Sequence, residues 1–96
     1  MFAFVTIGTN NLEKSSNFYD EILAILDIIR VDQDERYIGY AKEKTDNLAD
    51  FYIMKPFDKN NATIGNGTMI SFDVNPNIIN SIIVAAQGLE PRTPGL

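Results

Sequence analysis

The chain has 96 residues, 45% apolar and 22% charged, which suits one soluble globular domain with a modest core. Its net charge is −5, with eight Lys and Arg against thirteen Asp and Glu, so nucleic-acid phosphate is a poor partner. The absence of cysteine and histidine excludes disulfides and thiolate sites and removes the commonest transition-metal ligand and general base.

Residues 1–8 are rich in Phe, Val, Thr and Ile and predict a strand buried on both faces. Asn10 is the expected N-cap of a helix over 11–26, with Glu13 placed three residues later as a capping box requires. Leu12, Ser16, Tyr19, Leu23 and Leu26 form its apolar stripe, widened by Phe18, Ile22 and Ile25. Residues 27–32 and 36–42 predict a hairpin around the polar turn Gln33-Asp34-Glu35. A polar loop over 43–48 leads to a strand at 49–55, which Pro56 stops. Residues 57–67 predict a loop ending in the turn dipeptide Asn66-Gly67. Residues 68–74 predict another strand. Asn75-Pro76 then opens a helix faced by Ile78, Ile79, Ile82, Ile83 and Ala86 and ended by Gly88. Residues 89–96 carry two prolines and a glycine and predict irregular chain.

No stretch of about 18 apolar residues is present to span a membrane. The N-terminus lacks the basic region of a signal peptide, so a reducing cytoplasm is the expected location. The sequons at Asn61 and Asn66 are then ordinary polar loop residues.

A weak internal repeat stands out. Phe4-Val5-Thr6-Ile7-Gly8-Thr9-Asn10 and Met69-Ile70-Ser71-Phe72-Asp73-Val74-Asn75 match in character position by position, and each leads into an amphipathic helix. Strand alternation turns Val5, Ile7, Ile70 and Phe72 towards the helices. It turns Phe4, Thr6 and Gly8, with Met69, Ser71 and Asp73, towards a shared concave face.

The opening Phe4-Val5-Thr6-Ile7-Gly8-Thr9-Asn10-Asn11-Leu12-Glu13-Lys14, with Asn17-Phe18-Tyr19-Asp20 and Leu23, resembles the start of vicinal oxygen chelate proteins. That superfamily includes glyoxalase I, extradiol dioxygenases and the fosfomycin and bleomycin resistance proteins. Residues 65–72 resemble the start of its second module. The resemblance implies an α+β fold of βαβββ modules. Residues 1–58 would form the first module, 59–67 a connecting loop and 68–96 an incomplete second module within one domain. The family pattern continues for about 30 residues beyond Leu96, so a partner chain or a tail is expected to cover the open sheet edges.

The resemblance also implies a metal held by His near the start of each module and by later carboxylates. The matching positions here are Phe4 and Met69, and the third falls near Asp50, the one weak candidate ligand. No metal or other cofactor is therefore expected. The expected protein is a homodimer that binds a small molecule in a concave groove lined by Phe4, Thr6, Tyr40, Tyr52, Met69, Ser71 and Asp73. Two alternatives stand beside it. One is a lyase or dioxygenase of the same superfamily with carboxylate or tail ligands. The other is a degenerate, non-catalytic fragment.

Overall fold

The computed structural model describes residues 1–43 and 48–89. The strands are β1 (Val5–Gly8), β2 (Ile29–Gln33), β3 (Tyr37–Ala41) and β4 (Phe51–Met54). The helices are α1 (Leu12–Ile25) and α2 (Ile79–Leu89), the latter preceded by a 3-10 turn at Pro76–Ile78. The four strands form one sheet in the order β1-β4-β3-β2. β1 runs parallel to β4, while β3 pairs antiparallel with both β4 and β2. In this α+β arrangement α1 packs on one face of the sheet against β2, β3 and β4, and α2 packs against α1.

The core lies between α1 and the sheet. Ile38, Tyr40, Phe51 and Ile53 from the strands meet Leu23 from α1, with Ile7, Leu12, Tyr19, Leu26, Ile28 and Ile70 packed around them. Alternation explains the split: residues 51 and 53 of β4 are buried against the helix, and 52 and 54 face away.

The ends of α1 follow from local chemistry. Asn11, not Asn10, caps it, with its side-chain oxygen accepting from the Lys14 N–H at 3.0 Å. Glu13 therefore sits one position too early for a capping box. Asn10 is used differently. Its side chain donates to the Ala62 carbonyl at 3.2 Å and accepts from the Ala62 N–H at 2.6 Å, which ties the long loop down. At the other end, Asp27 has φ 61° and is not the start of a strand. Its N–H reaches the Ala24 carbonyl and the Ile28 N–H reaches Leu23, which is the Schellman arrangement.

Three further expectations are corrected. β1 begins at Val5 rather than at residue 1 and is an edge strand, with Met1, Phe2, Phe4 and Val5 all exposed. Residues 68–74 form no strand, because they have no ladder partner among the described residues. They pack through alternate side chains instead: Ile70 joins the core and the Phe72 ring lies 5.4 Å from that of Phe51. Gly88 lies inside α2, not after it. The expected N-terminal signal of that helix does hold: Asn75 accepts from the Asn77 N–H at 2.9 Å, with Pro76 following. Gly65 and Gly67 both adopt positive φ around the expected Asn66-Gly67 turn. Most of the expected 43–48 loop and the irregular end after residue 89 lie outside the described residues.

Candidate functional site on the open face of the sheet

The sheet face away from the helices carries a second, smaller apolar cluster of Val31, Ala41 and Ala49, with Tyr52 packed against it. Tyr52 is the centre of an aromatic array. Phe4 meets it edge-on with ring centroids 5.1 Å apart, and Tyr37 does so at 5.5 Å. The Tyr52 hydroxyl donates to Asp32 Oδ2 at 3.1 Å. Gly39 sits opposite Tyr52 in the register, and a Cβ there would lie only 2.6 Å from the Tyr52 ring. The missing side chain of Gly39 is thus what lets the ring lie across β3.

A bulge in β2 supplies the carboxylate. Arg30 pairs with Tyr40 and Asp32 with Gly39, so Val31 is the extra residue. Arg30 therefore shares the helix side with Tyr40, and Asp32 shares the open side with Gly39 and Tyr52.

Of the residues expected to line a groove, the structure brings Phe4, Thr6 and Tyr52 to this face. Thr6 is exposed and in register with Tyr52. Tyr40 lies on the opposite face. It is 1% exposed, and its hydroxyl donates to Asp20 Oδ1 at 2.8 Å. Met69, Ser71 and Asp73 are exposed along the segment whose alternate residues, Ile70 and Phe72, pack on the helix side. Asp50 is exposed at the entry to β4, where the Val5 N–H donates to its carbonyl. Arg36 and Lys55 join at the hairpin end: the Lys55 N–H donates to the Arg36 carbonyl, and the Arg36 guanidinium donates to the Pro56 carbonyl.

Sequence reasoning missed Asp32, Gly39 and Tyr37 as neighbours of Tyr52. One signal was present. Tyr37 and Tyr40 are three residues apart on one strand, so only one of them can share a face with Tyr52.

All four tyrosines are raised above the ordinary phenol range. Burial does this at Tyr19 and Tyr40, where the Asp20 hydrogen bond adds to it. Burial and then the Asp32 hydrogen bond raise Tyr52, and the Asp32 charge is the main cause at Tyr37. The native state thus holds these protons more tightly than the unfolded chain. The stabilisation is complete below about pH 10, the free-tyrosine value, and is lost as pH rises through the native values. Alkaline titration by ultraviolet difference absorbance is expected to show tyrosinate forming above pH 10 and merging with unfolding. A folded protein with all four phenols ionising at the free-tyrosine value would contradict this.

The architecture and this face together define a glyoxalase/bleomycin-resistance type of fold. A crystal structure of a glyoxalase/bleomycin resistance protein from Albidiferax ferrireducens T118 matches with a TM-score of 0.77 and 29% identity. The match covers 92% of this chain and 70% of that one. This likeness supports the vicinal oxygen chelate superfamily. No protein-family model and no curated protein sequence matches it.

The superfamily's metal chemistry does not fit the residues present. The chain has no histidine, and Phe4 and Met69 offer a ring and a thioether where hard donors are needed. Among the described residues no three Asp or Glu come together in a metal-holding group. The Phe4 ring lies edge-on to Tyr52 instead.

Proposed function

We propose that this protein binds a small, partly apolar molecule on the open face of its sheet without using a metal. The observation that carries the reading is the Phe4–Tyr52–Tyr37 array. It places three aromatic rings and one carboxylate on a face that the helices leave uncovered. Concave ligand sites have this make-up, with much apolar surface and few oriented polar groups. Phe4, Thr6 and Tyr52 line it, with Met69, Ser71 and Asp73 contributed if residues 68–96 begin a second module facing the first. In this reading the protein is a homodimer of the cytoplasm, and the second copy closes the groove. Among the described residues no helix is long and apolar enough to cross a membrane.

The test is a fragment screen followed by amide chemical shifts, paired with calorimetric titration of Mn, Fe, Ni and Zn. Hits are expected to shift Phe4, Thr6 and Tyr52, with no metal bound at micromolar concentration. One tight metal per chain, or hits confined to the helix side, would sink the proposal. Sedimentation that shows only monomer would remove the homodimer from it.

A further inference from the structure

The open face differs from an ordinary apolar sheet face in where its one hydrogen-bonded carboxylate sits. Phe4 and Tyr37 flank Tyr52 in an open aromatic box. The rings of Phe4 and Tyr37 stand at 70° and 72° to the Tyr52 ring. Near-perpendicular rings at about 5 Å turn π-faces as well as edges outward, and a π-face attracts a soft cation. Asp32 closes the polar side, with Oδ2 accepting from the Tyr52 hydroxyl. Asp32 is half-buried and pairs with no cation among the described residues. Its charge acts on Tyr37 as well, so the carboxylate bears on both tyrosines of the box. A carboxylate held beside three rings and left without a counter-ion complements a positive ligand. The net charge of −5 works in the same direction.

We propose that the ligand class of this face is an organic cation, a quaternary or protonated alkylammonium group seated among Phe4, Tyr37 and Tyr52 with Asp32 as its counter-charge. This rests on the reading that the open face binds small molecules, and it adds the charge of the group recognised. Phe4 is 54% exposed, so its ring can turn onto a ligand with little loss of core packing. The hydrogen bond to Asp32 fixes the Tyr52 hydroxyl, and Gly39 leaves room for its ring.

The experiment compares tetramethylammonium chloride with tert-butanol, a neutral molecule of similar size, by amide chemical shifts. Tetramethylammonium is expected to shift Phe4, Tyr37 and Tyr52 and to bind about tenfold tighter than tert-butanol. Asp32→Asn keeps the shape and is expected to weaken the cation at least about threefold while leaving tert-butanol unchanged. Phe4→Leu, at an exposed ring, serves as a second variant that leaves the core intact and is also expected to weaken the cation. Equal affinity for the two probes, or a cation indifferent to Asp32→Asn, overturns the cation proposal. If tert-butanol or neutral fragments still shift these amides, the small-molecule reading stands without it. If neither probe nor any fragment shifts them, both fall.

Discussion

Gly39→Ala is expected to lower stability by about 1–3 kcal/mol and to displace the Tyr52 ring. The added Cβ would fall 2.6 Å from Tyr52 Cε2 and 2.7 Å from the Ala49 Cβ. Both distances are far inside van der Waals contact. Ala49 is 3% exposed and cannot retreat easily. Tyr52 is the freer of the two, but moving it breaks the hydrogen bond to Asp32 and both edge-on contacts. The substitution therefore acts on the core and the candidate site together. Denaturant unfolding should show a lower midpoint at unchanged slope. Near-ultraviolet circular dichroism should lose part of its tyrosine signal. A variant as stable as the parent, with the tyrosine signal intact, would show that the ring does not lie across Gly39.

Asp20→Ala is expected to cost about 2–3 kcal/mol, most of it through Tyr40. Asp20 receives three hydrogen bonds, from the Tyr40 hydroxyl at 2.8 Å and from Arg30 at 2.9 and 2.6 Å. The Arg30 pair is more than one-third exposed on both sides, so on its own it contributes under about 1 kcal/mol. The Tyr40 hydroxyl is in a different position. Its ring is buried, and without Asp20 its remaining partner is the Ser16 carbonyl at 3.4 Å. A buried hydroxyl left poorly bonded loses most of its desolvation compensation. Tyr40→Phe removes that hydroxyl and should cost less, about 1 kcal/mol. The double variant should then be no worse than Asp20→Ala within a few tenths of a kcal/mol. Full additivity of the two costs would show that the residues act separately.

Local signals in the sequence located the elements well where one residue type dictates one conformation. Pro56 stopped β4, Asn75-Pro76 opened the second helix, and Asn66-Gly67 made its turn. The helical stripe of α1 was equally plain, because Leu12, Tyr19, Leu23 and Leu26 do reach the core. What failed depended on partners distant in sequence. Residues 68–74 have a strand's pattern, but a strand exists only where a neighbour completes its ladder, and composition does not announce the neighbour. Tyr40 was assigned to the groove because hairpin parity cannot be fixed without the register. One bulged residue, Val31, is enough to shift that parity within β2. Asp32 and Gly39 escaped notice for the same reason, since each gains its meaning from Tyr52 across the sheet.

That bulge has a consequence for how the protein can vary. A regular strand would turn Arg30 and Asp32 the same way, two residues apart, and force them to serve one environment. With the phase shifted between them, Arg30 clamps the helix through Asp20, while Asp32 addresses the opposite face beside Tyr52. The two duties become separable. Substitutions at position 32 can retune the charge of the open face without loosening α1. A deletion at position 31 would remove the bulge and leave the two residues adjacent on a regular strand, so each would keep its own face.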